Sequence, residues 1–321
     1  MHNANKITIA VTGPSGFIGS HFIAYVSHSS DLEVRILLHN DAITDHRYTD
    51  FATFKGDLLD ALSLEEFPVK GCTVINLVYL GKRSTEDNLA AIDNLAAVCA
   101  RAGIKRFIHC STAVVAGSVN SRIISENIIP RPTNNYELTK MAIETLLLTK
   151  YTDFFEVIIL RPTAVFGPGG RNLIKQANYI RNGNRVLNYI RSCLYGYRHM
   201  NIVAIENVIA ALKFLVYLKR PGLKNEVFII SDDDDELNKY RTMEKFLMNC
   251  FDIQDYRIPR IFIPSFVLKI LLRLSGRTNP DPFTCYTSEK LLGSGFMKKI
   301  NLRDSLKNFA DWYLTNYSGN V

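Results

Sequence analysis

The segment "ITIAVTGPSGFIGSHFI" (residues 7–23) constrains the fold of this chain more than any other. An apolar run ends in three glycines spaced three apart, Gly13, Gly16 and Gly19, and a helical pattern follows at once. A strand that turns this tightly into a helix, leaving the backbone bare of Cβ atoms, lets a pyrophosphate approach the chain. The free N–H groups and positive dipole end of the helix then face the anion. This points to a dinucleotide rather than a plain glycine turn, although the spacing differs from G-x-G-x-x-G. Gly13, Ser15, Gly16, Phe17, Ile18 and Gly19 are the residues expected to meet it.

The next 150 residues repeat the alternation. Strands are expected at "VRILLHN" (34–40), "TVINLVYL" (73–80), "RFIHCST" (106–112) and "VIILRPT" (157–163), with helices near 17–29, 87–102 and 136–150. The second helix carries Leu89, Ile92, Leu95 and Cys99 on one face, and Gly103 ends it. Apolar strands alternating with helices predict an α/β fold, a doubly wound parallel sheet covered on both sides. After the turn cluster Gly167–Gly170 the pattern becomes helical, around 171–182, 205–219, 239–251, 264–275 and 303–316, with one strand near 226–231. The expected division is therefore 1–168 and a smaller, mostly helical substrate-binding cap at 169–321, the late strand returning to the main sheet. The stretch 184–198 reads as a cap hairpin or a grip for a nucleotide base, and Asp232–Asp235 as a solvated turn.

Composition narrows the function classes. Of 321 residues 47% are hydrophobic and 21% charged, which suits a large folded core. The net charge of +7 is scattered, with no basic tail that would mark a nucleic-acid partner. The six cysteines form no C-x-x-C and the seven histidines no ligand cluster, so reduced thiols and no metal are expected. The amino terminus lacks the build of a signal peptide, and no stretch is long enough to span a bilayer, so a cytoplasmic protein is expected. "IFIPSFVLKILLRLSG" (261–276) reads as a core or docking helix, or as a basic amphipathic face touching a membrane.

Tyr136 and Lys140 in "NNYELTKMAIE" stand one helical turn apart on one face. Together with T-G-x-x-G-F-I-G, this Y-x-x-x-K resembles the extended short-chain dehydrogenase/reductases, in the branch of NAD-dependent epimerases and dehydratases. The resemblance spans essentially the whole chain and implies a Rossmann-type fold. It implies that Tyr136 is the general acid/base, that Lys140 sits beside it and holds the nicotinamide ribose, and that Thr112 shares the substrate hydroxyl, with Ser111 the other candidate. A phenol ionises near pH 10, and a neighbouring ammonium should bring that value down. "FKGDLLD" (54–60) is similar to the family's adenine-binding stretch, implying Asp57 and Leu58; "INLVYLG" (75–81) to the strand under the cofactor, implying Leu77, Val78 and Tyr79; "ILRPTAVFGPG" (159–169) to the segment around the nicotinamide, implying Pro162 and Val165. Asn88 takes the place of the family's structural asparagine.

The resemblance also implies the substrate class, a nucleotide-linked sugar oxidised or reduced at C4, with 4-epimerisation as the leading reaction and surface polysaccharide as its destination. Ala113-Val114 replaces the Asp-Glu of the dehydratases, which argues against elimination. Ala164 stands where galactose-type epimerases carry an asparagine; with Thr112, Arg171 and Arg198 it is a candidate for substrate contact. NAD and NADP remain open, since His39-Asn40 fills the place of the ribose-binding acid, with Asp41 late and Arg47 further on. The carrier is equally open between a nucleotide and a polyprenyl diphosphate. The alternatives are an NADPH-dependent 4-ketoreductase and a non-catalytic NAD(P)-binding scaffold. A homodimer through the helices at 87–102 and 136–150 is expected.

Overall fold

The computed structural model describes residues 6–39, 48–219, 224–261, 263–274 and 281–317. Asp41 and Arg47, named above as possible determinants of cofactor choice, lie outside them.

Strands β1 (Ile7–Thr12), β2 (Leu32–Leu38), β3 (Ala52–Lys55), β4 (Thr73–Asn76), β5 (Arg106–Cys110), β7 (Glu156–Pro162) and β10 (Asn225–Ile230) form one sheet in the order β10-β7-β5-β4-β1-β2-β3. The ladders from β3 across to β7 are parallel, and Val11 stands opposite Ile36 on one side and Ile75 on the other. The order reverses between β1 and β4, and such a switch point opens a crevice at the carboxyl ends of the strands. Helices α1 (Phe17–Val26), α2 (Thr85–Ala102) and α3 (Asn135–Lys150) make the crossovers. The Ser84 hydroxyl caps α2 by accepting the Asp87 N–H at 3.1 Å, and Gly103 ends it in the left-handed region at φ 66°. The face of α2 bearing Ile92, Leu95 and Cys99 is fully buried. Each such aliphatic side chain contributes about 1.5–3 kcal/mol, and α3 adds Ile143 and Leu147 to the same core.

The chain forms two compact units that interleave along the sequence. The first comprises 1–115, 134–161 and 211–228; the second 116–133, 162–210 and 229–321. A single cut after residue 168 does not describe this arrangement. The chain leaves the first unit after β5 and after β7, and returns through the end of helix α6 (Ile205–Tyr217) and the start of β10.

Inside the second unit, β8 (Ala164–Phe166) pairs with β9 (Ile202–Ala204), and β6 (Ile123–Ile124) with β11 (Cys285–Tyr286), both in parallel. Its core gathers Phe166, Met243, Leu247, Leu306, Phe309 and Tyr313 from β8, helix α7 (Tyr240–Cys250) and helix α10 (Leu302–Tyr317), with helix α4 (Ile174–Asn182) against them. Two expectations are corrected here. Residues 185–195 are a helix, α5 (Arg185–Tyr195), not half of a hairpin: Asn184 caps it by accepting the N–H groups of Val186 and Leu187 at 2.9 and 3.1 Å. The acidic run is a solvated turn only at Asp234, which is exposed. Asp232 and Asp233 are buried, because their carboxylates accept bonds from the backbone of Ala204 and Tyr286 at 2.8 and 2.7 Å. Lys298 reaches Asp232 at 3.0 Å as well. Burial pushes the Asp233 carboxyl up to about 6.

Candidate active site

In the first unit a cavity of about 540 Å³ lies against the carboxyl ends of β1, β2 and β4. Two glycines shape its floor. Gly13 has φ +71°, and a Cβ at Gly19 would stand 2.0 Å from the Gly13 carbonyl oxygen, so the turn closes only without that atom. Gly16 begins α1 with no side-chain cap, which leaves the N–H groups of the first turn to an anion. Gly13, Ser15 and Gly16 line the cavity, as do His39, Asp57, Leu58, Leu77, Val78 and Tyr79. Phe17, Ile18 and Gly19 do not; they build the helix behind the turn.

The cavity wall is held by side chains that the family resemblance only partly located. Asn88 accepts the Leu80 N–H at 2.9 Å and donates to the Leu80 carbonyl at 3.1 Å, pinning the loop after β4. Asp57 accepts the Leu59 N–H at 2.9 Å, the main reason its carboxyl sits below the usual carboxylate range. His39 lies 3.4 Å from the same carboxylate. Arg83, which sequence reasoning passed over in "GKRSTED", also lines the cavity, and its charge adds to the lowering at Asp57. Its signal was a cation in the loop between β4 and α2.

Beside the cavity stands the tyrosine–lysine pair. Helix α3 starts at an Asn134 cap that accepts the Glu137 N–H at 2.9 Å and returns a bond to the Glu137 carboxylate at 2.8 Å. This fixes Tyr136 in the first turn and Lys140 one turn on. Tyr136 is 40% exposed and Lys140 only 4%. The Tyr79 ring connects them to the cavity, meeting the Tyr136 ring edge-on at 5.1 Å and lying 4.8 Å under the Lys140 ammonium. Lys140 donates to the Cys110 carbonyl at 3.2 Å.

The electrostatics differ from expectation. Burial raises the Tyr136 phenol above its ordinary value, and a hydrogen bond with Thr112 only partly offsets this. The Lys140 ammonium donates to the Cys110 carbonyl and lies over the Tyr79 ring, and burial lowers its own value. Tyr136 therefore rests as a neutral phenol, a proton donor. The positive end of α3, where it sits, works in the opposite sense.

Ser111 and Thr112 are also separated by the structure. The Ser111 hydroxyl is buried and donates to Glu144, whereas Thr112 reaches Tyr136. Glu144, fully buried, accepts both Nε and Nη2 of Arg161, the latter at 2.5 Å. Sequence reasoning missed this Ser111–Glu144–Arg161 set, although a glutamate one turn past Lys140 on the same inward face was the available signal. Behind it, Asn76 donates to His109 Nδ1 at 2.9 Å, and burial keeps His109 neutral, well below its ordinary value. Pro162, Ala164, Val165, Arg171 and Arg198 belong to the second unit, and none lines the cavity. Pro162 is buried at the end of β7, Ala164 and Val165 form β8, Arg171 is exposed before α4, and Arg198 follows α5 half-buried. Among the described residues no group of three histidines, cysteines or acids could hold a metal ion.

A doubly wound sheet with a glycine-floored crevice and an adjoining Tyr–Lys pair defines an NAD(P)-binding enzyme of the extended short-chain dehydrogenase/reductase type. A model of the NAD dependent epimerase/dehydratase family matches residues 9–231, and the chain belongs to that family. The UDP-glucose 4-epimerase of Vibrio cholerae is 26% identical over 291 residues, covering 85% of this chain and 83% of its own. Two solved structures share the fold. The dTDP-glucose 4,6-dehydratase of Bacillus anthracis in complex with NAD superposes with a TM-score of 0.68 at 16% identity, over 98% of each chain. RMD from Pseudomonas aeruginosa complexed with NADPH gives 0.66 at 21% identity, over 97% of this chain and all of its own (100%).

Proposed function

We propose that this protein interconverts the two configurations at C4 of a sugar carried on a diphosphate, as an NAD(P)-dependent 4-epimerase of the cytoplasm serving surface polysaccharide. The reading rests on one observation: Tyr79 lines the glycine-floored cavity and touches both Tyr136 and Lys140, so a nicotinamide in that cavity and a proton carrier share one wall. The residues fit a dinucleotide, because the cradle at Gly13 and Gly19 admits no Cβ and the first turn of α1 offers uncapped N–H groups. Gly13, Ser15 and Gly16 would hold the pyrophosphate, Asp57 and Leu58 the adenine end, and Lys140 the nicotinamide ribose. When bound, the nicotinamide supplies a hydride acceptor and a positive charge.

The chain's own residues manage the proton. Thr112 and Tyr136 present two hydroxyls to one substrate oxygen. Tyr136, as phenolate, takes the proton of the C4 hydroxyl while that carbon is oxidised, and as phenol returns it when the ketone is reduced on its other face. Buried Lys140 provides a fixed cation beside the exchange. The neutral resting phenol implies that phenolate forms only with the positive coenzyme in place. Ala113 and Val114 offer no carboxylate for elimination, which supports a reaction that keeps the C6 oxygen. Pairing of α2 and α3 across a homodimer belongs to this reading, with light scattering as its check.

A second reading has its own support. His39 and Arg83 line the adenosine end of the cavity and no acid follows β2 on its last described residues, a setting that suits a 2′-phosphate and an NADPH-dependent ketoreductase. Incubation with UDP-, GDP-, dTDP- and polyprenyl-diphosphate sugars, followed by NMR at C4, decides between them. Inversion without net coenzyme consumption is the expected result; stoichiometric NADPH consumption would establish the reductase instead. Turnover of none of these sugars, with or without added coenzyme, would overturn both.

A further inference from the structure

Helix α5 wears its apolar side outward. Asn188 and Ser192 are buried, Asn188 bonded to the Tyr179 carbonyl and Ser192 to Glu244, while Val186, Leu187 and Ile190 stand 66%, 52% and 50% exposed. Helix α8 (Ser265–Leu274) packs beside it and is apolar on two faces. Leu268 and Leu272 point inward; Phe266, Ile270 and Leu274, also four apart, point outward at 63%, 51% and 80% exposure. Between α5 and the 254–258 segment lies a cavity of about 690 Å³ whose walls include Val186, Ile190 and Ile258, and α8 packs against the same helix α5. Apolar patches of this extent on a folded unit mark a contact site.

Charge identifies the partner. Arg185 and Arg257 line the same cavity, and Lys269 of α8 lies 3.9 Å from Asp281. Neither α5 nor α8 contains an acid, and Asp255, the one carboxylate in the 254–261 segment between them, is held by Arg260 at 2.8 Å. Two copies of this face brought together would oppose arginine to arginine with nothing to neutralise them. An anionic phospholipid surface offers hydrocarbon for the apolar groups and phosphate for the rim. Among the described residues no helix is long and apolar enough to cross a membrane, and the ten residues of α8 fall well short of a span.

We infer that the α5–α8 face of the second unit docks in the plane of an anionic bilayer. The inference is independent of the reaction proposed above and asks nothing of Tyr136. Co-sedimentation of the full chain with vesicles of phosphatidylcholine containing about 30% phosphatidylglycerol, against pure phosphatidylcholine, tests it. The anionic vesicles should bind the protein about tenfold more tightly than the neutral ones, and added salt should weaken that binding. The combined Phe266→Ser, Ile270→Ser and Leu274→Ser variant should lose about tenfold or more of the affinity while retaining wild-type coenzyme binding, the check that it folds. The Tyr136→Phe variant should sediment as the wild type does, which separates failure here from failure of the proposed catalysis. Absence of binding, equal binding to both vesicles, or equal binding by the triple variant would overturn the inference. So would a vesicle-free solution in which the triple substitution converts a dimer to a monomer, since the face would then be a subunit interface.

Discussion

Helices α3 and α5 both carry polar side chains into the protein, and they do so to different ends. In α3 the inward residues Thr139, Lys140 and Glu144 are buried because each has a fixed partner, and those partners lie around the candidate acid/base. The outer surface of α3 is mixed. In α5 the inward Asn188 and Ser192 satisfy a carbonyl and a carboxylate of the second unit, and the apolar residues this displaces are left facing out. Polarity turned inward thus surrounds a candidate reaction centre in one unit and leaves an apolar outer face in the other. Buried polarity alone does not separate the two; what remains on the outside does.

The comparison breaks most readily at Tyr136. Replacement by Phe should lower kcat by about 10²–10⁴-fold, the worth of a positioned acid/base, with coenzyme affinity changed by about twofold or less. Steady-state rates beside an equilibrium coenzyme titration read this. Full turnover in the variant would leave α3 no more than a structural helix.

Glu144→Gln comes next. It strands the buried Arg161 guanidinium and should cost about 3–5 kcal/mol in urea unfolding, while Ser111→Ala, which removes only one donor, should cost about 1 kcal/mol. If the two cost the same, the ion pair is not what fixes the inward face of α3.

The second unit yields to pH. The folded Asp233 carboxyl is raised from 3.8 to about 6, so its protonated form is the one the fold prefers. Its contribution is complete below about pH 4 and is lost as the pH rises through about 6, a change of roughly 2–3 kcal/mol. The stability of Asp233→Asn should therefore decline less than that of the wild type between pH 4 and pH 8; parallel curves would place the titration elsewhere. The smallest effect is expected at the cap of α5, where Asn184→Ala should cost about 1 kcal/mol by chemical denaturation.

Much of the first unit was legible because its signals are local. The glycine turn, the α2 stripe ended by Gly103, and Tyr136 one turn before Lys140 each declare themselves within a few residues. β3 escaped notice because "ATFK" is too short to show a period. Glu144 escaped because a charged residue in a helix reads as solvent-facing until its partner is known, and Arg161 lies seventeen residues away on a strand. Asp232 and Asp233 misled for the same reason: their backbone donors come from Ala204 and Tyr286. α5 escaped because its polar side faces inward and its apolar side outward, and Asn184 is its cap. The net rise of the Tyr136 value escaped because helical spacing does not show how far the phenol is buried.

Arg106 carries a consequence for the order of assembly. Its guanidinium, 1% exposed, meets Glu156 and the carbonyls of Leu215, Val216 and Leu218. A ribosome must therefore have delivered the chain as far as Leu218 before this cation finds its last acceptor. A nascent fragment ending after β7 would hold a guanidinium paired with Glu156 but lacking its carbonyl acceptors. Trimming the gene at the apparent end of the nucleotide-binding half would leave those bonds unmade.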